Sequence, residues 1–157
     1  MSTDAPFVLV EGSLLDLDSV MEVMKDGFDP AFGEGWTSPQ CSGLLPMPGV
    51  WLTLARQGGE VTGFALSRII VDEAELLLLA VKRKWRRSGV GHQLLENFML
   101  AAAKRGATRL HLEVRDGNLA INLYKKAGFM EIGRRRGYYN GRDGQLYDAL
   151  TLARQAT

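Results

Sequence analysis

The chain has 157 residues, 46% of them hydrophobic, with 19 Lys and Arg against 18 Asp and Glu for a formal charge of +1. That length suits one domain with a core of its own, and that balance excludes both a disordered chain and a generally basic, nucleic-acid-like surface. No run approaches the roughly 18–20 apolar residues of a membrane span, and the opening MSTDAPFVLVEG lacks the basic and apolar regions of a signal peptide, so a single soluble, cytoplasmic domain over residues 1–157 is expected, with no membrane partner.

FVLVEG, residues 7–12, has the pattern of a short strand, and residues 13–28 have that of a helix capped by Ser13 with apolar positions at helical spacing. Residues 29–49 hold four of the five prolines and four glycines, which predicts irregular backbone with one or two helical turns after Thr37. Loops of this length are often functional. Cys41 lies within it, alone, so neither an intramolecular disulfide nor a cysteine-based zinc site is possible, and with two scattered histidines no metal site is expected. With no activating neighbour, Cys41 is expected to be a half-buried small side chain and not a nucleophile.

VWLTLAR and EVTGFALSRIIV flank Gly-Gly as a hairpin, and DEA returns the chain into ELLLLAV. Residues 76–81 do not alternate, as expected of a central strand covered on both faces. Residues 90–105 form the strongest helical pattern, with Leu94, Phe98, Ala101 and Ala102 on one stripe, Lys104 and Arg105 in the last turn, and Gly106 as the stop. TRLHLEVR then alternates, with Leu110, Leu112 and Val114 on one face and Arg109, His111, Glu113 and Arg115 on the other. DGN turns and caps a helix over residues 119–127 closed by Gly128, and strands around 129–136 and 145–152 follow. Strands and helices in this order predict an α/β (α+β) fold, a mixed central sheet of six to seven strands with helices on both faces.

One stretch asks for a ligand. Residues 82–87, KRKWRR, put five positive charges into six positions, and Ser-Gly-Val-Gly then opens the long helix. The start of a helix leaves N–H groups unpaired and is partly positive, so it holds phosphate where glycines allow close approach. A phosphate loop of the Gly-Lys-Ser/Thr type is excluded because that ending is missing. A dinucleotide fold is disfavoured because Leu94 stands where a third glycine belongs and no further parallel strand follows. A solvated basic turn, or a nucleic-acid patch with Trp85 for stacking, remains open on the glycines alone.

The same residues carry a resemblance to the GNAT superfamily of acyl-CoA N-acyltransferases, whose signature Gln/Arg-x-x-Gly-x-Gly/Ala after a central strand corresponds here to Arg86-Arg87-Ser88-Gly89-Val90-Gly91. VDEAELLLLAV, LHLEVRDGN, AINLYKKAGF and GRRRGYYNGRDGQLYDALTL are similar to the bacterial RimI-type ribosomal-protein-alanine N-acetyltransferases, closely over residues 71–152 and before that mainly in element order and in GWTSPQ. The resemblance implies the GNAT fold, its sheet mostly antiparallel, and acetyl-CoA as co-substrate, with no metal. Backbone groups of Leu79, Ala80 and Val81 would pair with the pantetheine arm; Arg86, Arg87, Ser88, Gly89, Val90, Gly91 and His92 would hold the pyrophosphate, and Asn118 would lie near the cofactor. It further implies Glu113 as general base, Tyr124 as the acid that protonates the leaving thiolate, and Trp36, Tyr138 and Tyr139 around the acceptor. The acceptor implied is a protein N-terminal amine, that of alanine in a small-subunit ribosomal protein.

By pattern alone Glu113 is a solvated polar-face residue, Tyr124 a core aromatic and His111 a structural residue. A small-molecule amine or a lysine side chain is the alternative acceptor. A non-catalytic RNA-binding module on the same scaffold is a third reading, which the presence of both Glu113 and Tyr124 opposes. The sequence departs from the family in two places. Glu113 and Tyr124 stand 11 positions apart, one fewer than in the relatives, which shortens the turn and leaves Asn118 to cap the helix with Asp116 or Gly117 in its place. Lys82, Arg83 and Lys84 add charge beyond the motif, for an adenosine 3′-phosphate or for an RNA surface.

Overall fold

The computed structural model describes residues 6–157; residues 1–5, part of the opening expected to carry no signal peptide, lie outside it. Among the described residues seven strands form one sheet: β1 (Val8–Gly12), β2 (Val50–Gln57), β3 (Glu60–Ile70), β4 (Glu73–Val81), β5 (Arg109–Arg115), β6 (Met130–Asn140) and β7 (Leu146–Gln155). Their spatial order is β1-β2-β3-β4-β5-β7-β6, and only the β4/β5 pair is parallel. The parallel pair needs a crossover, which α3 (Val90–Lys104) supplies.

Two apolar layers enclose the sheet. On one face α3 and α4 (Ala120–Lys126) cover Ala74, Leu76, Leu110 and Leu112, with Phe98 at 1% exposure at the centre. On the other, α1 (Leu17–Gly27) and α2 (Ser38–Leu44) cover Leu52, Leu54, Phe64 and Leu78. The predicted stripe of α3 is the buried one, Leu94, Phe98 and Ala102, joined by Val90 and Leu95. Ser13 caps as expected, but its capping box opens a 3-10 turn, Leu14–Asp16, ahead of α1. Cys41 is fully buried in α2, deeper than the half-burial expected, because α2 folds over the sheet; burial pushes its thiol up, away from nucleophilic use. The last two strands run three or four residues beyond their expected ends, β6 through an irregularity between Arg135 and Tyr139.

α2 begins with a capping box: the Thr37 hydroxyl accepts from the Gln40 N–H at 3.3 Å, and the Gln40 side chain accepts from the Thr37 N–H at 2.7 Å. Thr37→Ala is expected to cost about 1 kcal/mol, a fall of roughly 2–4 °C in melting temperature for a chain of this size. An unchanged melt would mean that the box does not hold α2.

Candidate active site

The site originates in an irregularity of β4. Leu66 pairs with Leu78 and Ser67 with Leu76, so Leu77 is an extra residue opposite β3. The bulge turns the strand over, since Leu76 packs with the α3 layer and Leu78 with the α1 layer. Pairing with β5 runs from Glu73↔Arg109 to Leu76↔Leu112 and ends there, leaving residues 78–81 paired, among the described residues, with β3 alone. The two parallel strands part at the bulge, and their backbone edges become the walls of a cleft.

Two hollows meet in that cleft. A groove of about 620 Å³ runs over Leu79, Ala80, Val81, Arg83, Arg86, Arg87, Gly91 and Leu123. A smaller, more enclosed cavity of about 110 Å³ is walled by residues 76–79 of β4 and 112–115 of β5, with Trp36, Tyr124, Tyr138 and Tyr139. Phe28, Glu34, Leu79, Arg115, Asn118 and Ala120 line both, so the hollows abut.

The groove ends at the start of α3. Gly89 precedes the helix at φ +91°, a conformation that favours glycine, and Arg87 takes φ +66°, an uncommon one for a residue with a side chain. The Gln93 N–H already bonds the Gly89 carbonyl, while the amides of Val90, Gly91 and His92 have no helical acceptor and no side-chain cap. Strained backbone ahead of free amides is the arrangement that binds an anion. Arg86 and Arg87 line the groove with full charges; Arg86 is held by the Gly27 carbonyl at 2.6 Å.

The expected pyrophosphate residues separate into two kinds. Arg86, Arg87 and Gly91 line the groove. Ser88, Gly89, Val90 and His92 can offer backbone groups only: the Ser88 hydroxyl donates to the Trp85 carbonyl, Val90 is buried in the core, and the exposed His92 faces Glu96 at 3.6 Å. Of the extra basic residues, Lys82 is engaged by Glu22 at 2.7 Å and Glu60 at 3.0 Å, and Lys84 by Glu60 at 3.2 Å. Only Arg83 of the three faces the groove.

In the cavity, β5 alternation brings Glu113 inward. Its side chain is 13% exposed, and Oε2 accepts no hydrogen bond although Arg135 Nε lies 3.0 Å away. The contact is an ion pair with the N–H aimed elsewhere. Burial raises the Glu113 carboxyl above its ordinary range, against the opposing pull of Arg135. Tyr124, on α4, is 6% exposed and sits edge-on to Phe129, and burial pushes its hydroxyl far above the usual phenol value. Tyr139 is raised in the same way, and Tyr138, half exposed, lies edge-on to it at 5.0 Å.

Asn118 caps the helix, as the shortened turn suggested, and still lines the groove beside Gly117. Its Oδ1 accepts from the Ala120 N–H at 2.8 Å, while its Nδ2 reaches Glu34 Oε2 at 3.1 Å in the wall common to both hollows. Glu34 was missed by sequence reasoning. It pairs with Arg115, whose guanidinium lies 3.7 Å from the centre of the Phe32 ring, and so ties the loop before α2 to the end of β5. The only signal was its place in the Gly/Pro-rich stretch, which gives no partner 81 residues away.

Residues 17–129 match the acetyltransferase (GNAT) family, and the chain belongs to it. The splayed β4/β5 pair and the glycine-led α3 are the elements through which it presents that fold. Over 98 residues it is 42% identical to the [ribosomal protein bS18]-alanine N-acetyltransferase of Escherichia coli K12, a match that spans 62% of this chain and 66%, just under two thirds, of that relative. An N-alpha-acetyltransferase of Sulfurisphaera tokodaii is 37% identical over 111 residues, covering 61% of this chain and 66% of its own. The crystal structure of the ribosomal-protein-S18-alanine N-acetyltransferase from E. coli superposes with a TM-score of 0.86 at 30% identity, over 97% of this chain and 95% of that one.

Proposed function

We propose that the chain is a single-domain acetyltransferase that carries the acetyl group of acetyl-CoA to the N-terminal α-amine of a protein, alanine in a small-subunit ribosomal protein, by direct attack. The observation that carries the reading is the meeting of groove and cavity at the parting of β4 and β5, with Glu113 and Tyr124 in the cavity wall. The groove suits acetyl-CoA: an unpaired strand edge at Leu79, Ala80 and Val81 for an amide-bearing arm, free helix amides for a pyrophosphate, and Arg87, which has no ion pair among the described residues. The names of the relatives favour the N-terminal acceptor over a lysine or a small amine. The RNA-binding alternative loses support because Lys82 and Lys84 are neutralised by Glu22 and Glu60.

In this reading Glu113 takes the proton that the acceptor amine must lose, directly or through water. An α-amine with a pKa near about 8 is partly neutral at physiological pH, whereas a lysine near about 10.4 is not, so a modest carboxylate base suffices. Tyr124, kept protonated by burial, donates to the departing sulfur. A backbone N–H of the freed β4 edge supports the oxygen that gains charge during attack. Trp36, Tyr138 and Tyr139 border the space where the first residue of the acceptor enters, and about 110 Å³ admits a small side chain.

Arg87→Ala is expected to weaken acetyl-CoA binding by about tenfold or more, the worth of one charged hydrogen-bonding partner, with the effect shrinking as salt is raised. Unchanged affinity in a calorimetric titration would remove Arg87 from the site. The acceptor assignment is tested on a peptide with an N-terminal alanine and an internal lysine, its product mapped by mass spectrometry. Acetyl on the α-amine supports the reading, and acetyl on the lysine alone overturns it.

A further inference from the structure

Glu113 is nearly closed off from water, yet a base that gains a proton in each turnover must return it to solvent before the next. An acceptor that enters as an ammonium ion loses two N–H protons on becoming an amide: one passes to the Glu113 carboxylate and the other restores Tyr124 after its hydroxyl proton has left with the thiolate, so the net surplus is one proton per acetyl transferred. Glu113 Oε2 has no hydrogen-bond donor among the described residues to pass it through, and Arg135 cannot accept one.

The same face of the sheet carries two titratable groups toward the outside. His111 stands two residues before Glu113 on β5, on the same side of the strand and about 6–7 Å along it, a span one water bridges. Directly opposite, on β4, Glu75 is its register partner, with Glu75 Oε1 3.7 Å from His111 Nε2. Glu75 also lines the cavity that holds Glu113, and the His111 side chain is 28% exposed against 13% for Glu113. The three groups descend from the closed cavity toward solvent just below the bulge.

We propose that the Glu75–His111 pair relays the proton from Glu113 to bulk water. The Glu113 O–H breaks as a bridging water passes its proton to the pair, and the imidazole releases one to solvent, leaving Glu113 ionised and the pair unchanged. His111 lines neither the cavity nor the groove and is a positioning and relay residue, not a catalytic one. The charged groups around the pair are Arg68 on β3, which holds Glu75 at 2.9 Å, Glu73 on β4, Arg109 and Glu113 on β5, and Arg135 on β6; β7 presents uncharged Ala153 and Thr151 opposite His111 and Glu113. The Glu75 carboxylate raises the imidazole against the effect of burial, while burial of Glu75 is outweighed by His111 and Arg68, which lower its carboxyl. The imidazole is thus held above its ordinary value, and it is a group that both takes up and gives up protons.

The inference rests on the acetyl-transfer reading, and its test separates the two. Turnover of acetyl-CoA with an alanine-terminated peptide is measured for wild type, His111→Gln and Glu75→Gln in dilute, non-imidazole buffer, and again with added imidazole. Both variants are expected to lose about tenfold in kcat, to keep the wild-type KM for acetyl-CoA, and to recover when imidazole is added. Unchanged kcat, or a loss that imidazole does not restore in the variant whose melt and acetyl-CoA affinity are normal, overturns the relay. An inactive wild type overturns the acetyl-transfer reading instead.

Discussion

Glu113→Gln is expected to lower kcat by about a hundredfold or more while leaving acetyl-CoA affinity near the wild-type value, because it removes a proton acceptor and keeps the shape of the side chain. The pH profile supports the assignment independently. Burial raises the Glu113 carboxyl from its ordinary 4.5, so the acid limb of kcat/KM should lie above that value, with activity lost as pH falls through it. The sign for stability is opposite. A carboxyl raised on folding contributes stability that is complete below the unfolded pKa and lost as pH rises through the folded one, so at about pH 8 the ionised group opposes folding. Glu113→Gln should therefore melt no lower than wild type at that pH, which separates a catalytic loss from misfolding. Normal turnover in a folded Glu113→Gln protein would remove the residue from the mechanism.

Tyr124→Phe is expected to reduce kcat by about ten- to a hundredfold, with a smaller effect on either KM. Its ring is held by Phe129 and the α3 layer, so the loss of one hydroxyl should leave the packing in place. Burial keeps the hydroxyl protonated across the working range, so the alkaline limb of the profile should not come from Tyr124. Normal turnover would move the acid role to Tyr139, which lines the same cavity and is also held protonated.

What sequence made legible follows from the range of each signal. Period-two alternation in β5 placed Leu110, Leu112 and Val114 in the core and Glu113 on the opposite face, and it did so because a strand fixes its faces locally. Gly89 and Gly91 marked the start of α3 for the same reason. ELLLLAV was a different case. Its lack of alternation suggested a doubly covered strand, and it is one, but the feature that makes the site is the bulge at Leu77, which a run of leucines does not mark and which depends on how β3 registers against β4. Glu34 and Arg115 meet across 81 residues, and Glu75 meets His111 across the crossover; nothing local in either pair announces the other. The basic run misled for a related reason, since Lys82 and Lys84 find their carboxylates on α1 and β3.

The most direct test of acetyl transfer to an N-terminus is thiol release from acetyl-CoA by the purified chain, with a short alanine-terminated peptide run beside the same peptide with its N-terminus blocked. Release with the free peptide and none with the blocked one is the predicted result. Equal release from both, or none from either, would contradict it.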